Sequence, residues 1–317
     1  MTLGDFRSGI LFILSYTIKM SLNKISESGI IERIARKVTN DSSVVCGIGD
    51  DAAVLKYTKA RYLLFTSDML VEGVDFTSRV RPQELGHKAI ACSLSDIAAM
   101  GGRAKYSLVS IGMPEKNPLK FIDGFYEGAL KLAKRFKANV VGGDLSFSKK
   151  IVIDVSTVGE VKKNKLVLRS GAKPGDIIFV SGSLGGSIYG RHLRFIPRLE
   201  EANYLVSNYR VNSMMDISDG LSLDLYRLCR ASNVGAVIYE NLIPVSKQAK
   251  SAGEALNMGE DFELLFTLSG QEAKRLNKNC GRTFTAIGEI RQAGCGIKLI
   301  TRDYKEKLLE PKGYQHF

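Results

Sequence analysis

Gly47-Ile48-Gly49-Asp50-Asp51-Ala52-Ala53-Val54-Leu55-Lys56-Tyr57-Thr58 is the stretch on which the fold turns. Its first six residues match G-x-G-x-x-A, the turn that seats a dinucleotide pyrophosphate at the first helix of a doubly wound sheet. That motif needs a helix directly behind it. Val54 to Thr58 is too short and too β-branched for one and reads as a strand. Asp50 and Asp51 also fill the variable positions, where two carboxylates would repel a pyrophosphate unless a metal intervened. The stretch is therefore a glycine turn that presents adjacent carboxylates, and the doubly wound sheet is set aside.

Outward from this turn, strands and helices alternate irregularly. Val44-Val45-Cys46 and Tyr62-Leu63-Leu64-Phe65 are short β-type runs. Ile30, Ile31, Ile34, Ala35 and Val38 recur at helical spacing. Pro82, Gln83 and Glu84 open a helix that runs toward Met100 and stops at Gly101-Gly102. Tyr106 to Ile111 reads as a strand. Asn117-Pro118 caps a long helix with Leu119, Ile122, Phe125, Ala129, Leu132 and Phe136 on one face. Val140-Val141 reads as a buried strand ending at Gly142-Gly143-Asp144, and Ile151 to Val158 as another. A second half follows, with strands at Ile177–Val180, Phe262–Leu268 and Phe284–Ile290. There Met214-Met215-Asp216 leads into a helix from Leu221. Adjacent strands mixed with crossovers favour an α+β or mixed α/β arrangement.

The chain has 317 residues, 44% of them hydrophobic and 25% charged. That balance excludes global disorder, and at roughly 150 residues per domain it suggests two domains. No apolar run approaches the ~18 residues of a membrane helix, so no membrane association is expected. Ile10 to Leu14 is apolar, but Asp5 precedes it and no A-x-A site follows, which disfavours a leader peptide. Residues 1–20 read as an extension before Met20 or as an ordinary first element. Five cysteines without a C-x-x-C, and only three histidines, fit neither a disulfide framework nor a zinc site. A reducing compartment, the cytoplasm, is expected. The 45 Lys+Arg against 33 Asp+Glu give a net charge of +12, which raises the question of nucleic acid. RNA-binding signatures and tryptophan are missing, and no nucleic-acid partner is expected.

The acidic residues are placed more tellingly. Asp51, Asp68, Asp96, Asp144, Asp216 and Asp219 sit in small-residue or apolar runs, mostly at strand ends, as do Glu260, Asp261 and Glu263 in Gly259-Glu260-Asp261-Phe262-Glu263. Buried charge must be paired or metal-bound. Few Arg or Lys stand beside these runs, and oxygen ligands without His or Cys suit a hard cation, Mg2+ above all. There is no Gly-Lys of a Walker loop, no H-R-D and no G-x-S-x-G, which excludes P-loop, protein-kinase and nucleophile-elbow chemistry.

Taken in order, eight segments resemble the thiamine-monophosphate kinases of the aminoimidazole-ribonucleotide-synthetase-like superfamily. They are Gly47–Ala52, Thr66–Val74, Lys88 through Gly101, Val141–Asp144, Arg169–Asp176, Asp216–Leu221, Gly259–Leu264 and Gly313–Phe317. The resemblance implies a two-domain α/β fold, with residues 21–158 as the ATP/Mg-binding and dimerisation domain and 159–317 as a C-terminal α/β domain. It further implies that the first domain pairs with its twin into a β-barrel at a homodimer interface. The implied reaction is ATP + thiamine monophosphate → ADP + thiamine diphosphate with several Mg2+ ions. By the same resemblance Asp51, Thr66, Ser67, Asp68, Asp96, Asp144, Asp216 and Asp219 look like metal ligands. Gly143, Asp144, Arg169 and Ser218 look like ATP contacts, and Asp75, Glu260 and Tyr314 like acceptor contacts, with Phe317 as a further aromatic wall. Asp50 would stand behind the ligands. Asp75 replaces a usual His, Met258-Gly259 a usual Gly-Gly, and Tyr314-Gln315 a usual aromatic-Asp pair. A related enzyme of the superfamily with another acceptor, aminoimidazole-ribonucleotide-synthetase-like or selenophosphate-synthetase-like, is the alternative.

Four features read as bland. His87 is a satisfied or exposed helix residue, and Arg191-His192-Leu193-Arg194 is a solvated face. Gly182-Ser183-Leu184-Gly185-Gly186 is a packing turn or, less often, a phosphate cradle. Lys131, Lys134, Arg135 and Lys137 suit the C-terminal dipole of their helix.

Overall fold

A computed structural model describes residues 26–279 and 284–316. The readings placed on residues 1–20, Cys280 and Phe317 lie outside these. Two compact units separate, residues 39–314 and a small one made of the chain's two ends. The small unit holds helix α1 (Glu27–Ala35), whose first turn is capped by Ser26 accepting from the Gly29 amide at 3.3 Å.

The large unit contains two mixed sheets. The first has six strands in the order β1 (Val44–Cys46), β2 (Ala53–Lys56), β3 (Arg61–Val71), β6 (Val152–Lys162), β4 (Arg103–Met113), β5 (Asn139–Phe147). Only the β4–β5 pair is parallel, joined by a helix crossover. Val54 to Lys56 is indeed strand, which disposes of the dinucleotide turn. Among the described residues the sheet ends at β1 and β5 and does not close into a barrel.

Helices α2 (Pro82–Ala99) and α3 (Leu119–Arg135) belong to this half. They cross at glycines. A Cβ on Gly86 would lie 1.9 Å from the Phe125 carbonyl oxygen, and one on Gly128 1.9 Å from that of Gln83. No side chain larger than hydrogen fits at either point. The helix start differs from expectation: Pro118 itself is the N-cap, and no side chain caps it, since the pyrrolidine ring has no acceptor to offer. β5 also departs from expectation. It runs past Asp144 to Phe147, and it is exposed where a buried strand was read.

The second sheet has seven strands in the order β13 (Glu306–Leu308), β12 (Ile297–Ile300), β9 (Val234–Tyr239), β11 (Phe284–Gln292), β7 (Ile177–Ser181), β10 (Glu263–Leu268), β8 (Val211–Ile217). Its helices include α4 (Leu199–Asn208), α5 (Leu221–Ser232), α6 (Ala252–Asn257) and α7 (Gly270–Asn279). The period-two alternation of strands divides its side chains between two cores. Phe179, Met214, Leu264 and Phe266 pack into the core that also holds Leu64, Leu94 and Ile97. Ile178, Val180, Met215 and Leu265 pack against Leu221, Leu225 and Leu228 of α5. Every residue of β10 is buried, which is why Glu263-Leu264-Leu265-Phe266 reads as a continuous rather than an alternating run.

Candidate active site

Four backbone elements carry carboxylates to one place. The turn before β2 supplies Asp51, β3 supplies Asp68, α2 supplies Asp96 and β8 supplies Asp216. One ligand oxygen each from Asp51, Asp96 and Asp216 lie within 4.8 Å of one another. Thr66 and Asp68, two residues apart on β3, share the face turned toward α2. Thr66 Oγ1 donates to Asp96 Oδ2. Ser95 Oγ donates to Asp216 Oδ2 at 2.5 Å.

The electrostatics are those of carboxylates crowded away from water. Burial, then the charges of Asp68, Asp216 and Asp51, push the Asp96 carboxyl well above the ordinary range. Burial and Asp51 do the same to Asp216. Asp68 is lifted to about 6 by burial, with Asp154 and Asp51 adding to it. Asp51 Oδ2 and Asp68 Oδ2 are buried without a hydrogen-bond partner. Hard oxygen donors, mutual repulsion and two orphaned lone-pair atoms fit a divalent cation such as Mg2+.

Arg169 closes one side. Its Nη2 meets Asp51 Oδ1 at 2.7 Å. Its backbone amide donates to Asp50 Oδ2 at 3.1 Å, so Arg169 touches both neighbouring carboxylates. Burial, then the Asp51 charge, lifts the Asp50 carboxyl to about 7.

Other expected ligands are elsewhere. Ser67 faces away from Thr66 and donates to Asp154 Oδ2 at 2.8 Å on the open face of the sheet. Asp68 and Asp144 lie inside long strands, not at their ends. Asp144 aligns with Ser110, which aligns with Asp154, so it shares that open face and is exposed. Gly143 has a packing reason: a Cβ there would lie 1.7 Å from the Val109 carbonyl oxygen. Asp219 is ion-paired with Arg227, and Arg227 Nη1 also meets Asp224 Oδ1 at 2.8 Å. The Ser218 carbonyl accepts from the Glu260 amide at 2.6 Å.

A second polar group forms around Lys88, which is 0% exposed. Its Nζ donates to Glu260 Oε2 at 2.5 Å and to the Asp75 carbonyl at 2.9 Å. His192 Nδ1 lies 2.9 Å from Glu260 Oε2. Burial raises the Glu260 carboxyl, but the His192 and Lys88 contacts outweigh it and leave it below its ordinary value. Glu260 thus sits in a compensated group, not as a lone acidic wall. The Asp75 carboxylate accepts from the Val71 amide at 2.7 Å and so braces its own turn. The Tyr314 amide donates to the Asp219 carbonyl at 3.0 Å, and its side chain is half exposed.

Two sequence readings are corrected by the arginines. Arg191 and His192 are not a solvated face. Arg191 Nη2 meets Asp261 Oδ1 at 2.9 Å, and Arg198 Nε meets Glu263 Oε2 at 2.7 Å. Asp261 and Glu263 are therefore neutralised by distant residues, and no local sequence signal marks the pairing. The glycine turn at 182–186 packs instead of cradling phosphate, since the Gly185 amide donates to Asp261 Oδ2 at 2.7 Å. His87 is satisfied, as read, by the Phe195 carbonyl at 2.6 Å. The place of buried Lys88 on α2, among Leu85, Ala89, Ala91 and Cys92, is the one sequence signal that could mark it.

Among the described residues no helix is long and apolar enough to cross a membrane. The family model of AIR synthase related protein, N-terminal domain, matches residues 49–161, and that of the C-terminal domain matches 173–298. Thiamine-monophosphate kinase of Bacillus subtilis is 34% identical over 92% of this chain and 100% of its own. That of Aquifex aeolicus is 36% identical over 94% and 100%. A solved structure described as AaThiL complexed with AMPPCP and TMP superposes with a TM-score of 0.84 at 34% identity, covering 95% of this chain and 100% of that one.

Proposed function

The chain belongs to the AIR synthase related family and, within it, to the thiamine-monophosphate kinases, and on that premise we propose how its residues carry the reaction. It phosphorylates thiamine monophosphate with ATP, giving thiamine diphosphate and ADP. The convergence of Asp51, Asp96 and Asp216 carries this reading, because a charge cluster of that kind is costly unless a cation is its purpose.

Asp51, Asp68, Asp96 and Asp216, with Thr66, would hold Mg2+, several ions in all. Mg2+ there would screen the acceptor phosphate from the γ-phosphate and stabilise charge on the leaving oxygen. Asp144, Ser67 and Asp219 remain proposed ligands that would join when ATP or a twin subunit brings further groups. Arg169 stands beside the cluster as the nucleotide cation, with Gly143 and Ser218 as further nucleotide contacts. Asp75, Glu260 and Tyr314 would line the acceptor; Asp75 does so by shaping its turn, since its carboxylate is taken by Val71. The acceptor phosphate, with a second pKa of about 6, is largely deprotonated at pH 7 and needs no general base. A covalent intermediate is not invoked: the Cys92 thiol beside the cluster is buried and raised well above its ordinary value.

A homodimer is proposed through the open face of the first sheet, closing the barrel between twins. Phe65, Met69, Tyr106 and Leu108 are exposed there, and Val141, Leu145 and Phe147 along β5. The domain division is proposed near residues 158 and 159, three residues before the first family match ends at 161 and ahead of the second, which begins at 173. Four described cysteines are free thiols, which supports the cytoplasm.

The test is ADP release with Mg2+ and thiamine monophosphate, against thiamine, formylglycinamidine ribonucleotide and selenide as acceptors. Turnover confined to the monophosphate is expected. Turnover with another acceptor alone would move the protein to a sister activity.

A further inference from the structure

Beyond the kinase site, a cavity of about 320 Å³ opens between α2, α3 and the segment around Leu193 to Ile196. We propose that it is a second ligand site, which takes a small organic anion with an apolar body. Its volume lies in the range of small-molecule sites.

The chemistry of the walls sets the ligand class. Leu132, Leu193 and Ile196 give an apolar floor. Four cations ring it, and they are not equivalent. Arg81 and Arg194 both bind Glu84, whose carboxyl they hold down to about 2. Glu127 accepts from Gln83 Nε2 at 3.1 Å. Lys131 and Arg135, one turn apart on α3, have no carboxylate partner among the described residues; Arg135 only lies over the Phe136 ring, 5.4 Å from its centroid. The helix dipole accounts for a basic last turn but not for cations that crowd a histidine across a cavity. His87 loses proton affinity first through burial and then, against the Phe195 carbonyl, through the charges of Arg135 and Lys131. An anion seated between the two would relieve that field.

The cavity is separate from the carboxylate cluster but touches its surroundings. His87 precedes Lys88, and Leu193 follows His192, both of which hold Glu260. The proposal does not rest on the kinase reading, since its test needs no turnover.

With only three histidines in the chain, imidazole resonances resolve by NMR. Phenyl phosphate is the probe, with inorganic phosphate and phenol as its two halves. Phenyl phosphate should shift the His87 resonance saturably and raise its midpoint pH. Each half alone should bind at least about tenfold more weakly. The double variants K131Q/R135Q and K131E/R135E, altered at exposed helix positions, should lose the shift while the circular dichroism and thermal midpoint are unchanged. An unshifted His87, or a shift of equal affinity in the variants, overturns the site. Equal binding of inorganic phosphate overturns the organic-anion assignment.

Discussion

Asp96 shows how function and stability oppose each other at a single residue. It is raised by burial and by three other carboxylates, with one hydroxyl bond from Thr66 in compensation. Asp96→Asn keeps that acceptor and removes the repulsion. It should stabilise the metal-free chain at pH 8 by about 1 kcal/mol or more, the sense expected when a desolvated like charge is deleted. Mg2+ alone should raise the thermal midpoint of the unaltered protein by mass action but not that of the variant. A variant less stable without metal, yet still responsive to it, would remove Asp96 from the site. At this scale the sequence was legible for acids in small-residue runs, which marked Asp51, Asp96 and Asp216 but grouped them with Asp144, Asp219, Asp261 and Glu263, which lie elsewhere. It was not legible for their cations. Arg169 lies 118 positions from Asp51 and Lys88 172 from Glu260, so neither pairing leaves a local pattern.

The α2–α3 pair is the element whose geometry has least tolerance. Helix propensity alone says that Gly128→Ala should stabilise by roughly 1 kcal/mol. The backbone carbonyl of Gln83, 1.9 Å from the added Cβ, says the opposite. Thermal unfolding of the variant should show destabilisation of about 1–3 kcal/mol, the usual cost of overpacking. A stabilised variant would mean that the helices sit farther apart. The spans of these helices were readable from Pro82 and from the apolar stripe beginning at Leu119, because period and breakers are local. The strand readings failed where exposure decides. Val140-Val141 has the composition of a core strand, yet β5 is an open edge. Composition cannot distinguish a strand buried in its own core from one kept apolar for a partner.

For the whole molecule, that apolar edge and open sheet face predict association. Leu108→Glu places a charge on the face and should halve the mass measured by sedimentation equilibrium while leaving the circular dichroism unchanged. An undiminished mass would put the interface elsewhere. The net charge of +12 also reads differently with the structure in hand. Asp219, Asp224, Asp261 and Glu263 are tied to Arg227, Arg191 and Arg198, so the uncompensated acidic pocket is smaller than the motifs suggest. The remaining lysines and arginines give a basic exterior suited to drawing in anionic substrates.

The core shared across the family boundary has a consequence for how such chains can be recombined. Phe179, Met214 and Phe266 from the second sheet pack with Leu64, Leu94 and Ile97 from the first half. A chimera spliced between residues 161 and 173 would join two strangers across one continuous apolar seam, although the junction itself looks permissive. Grafts between relatives should succeed only when α2 travels with strand β8 and helix α4, against which it packs, so the heritable module is this seam and not either half alone.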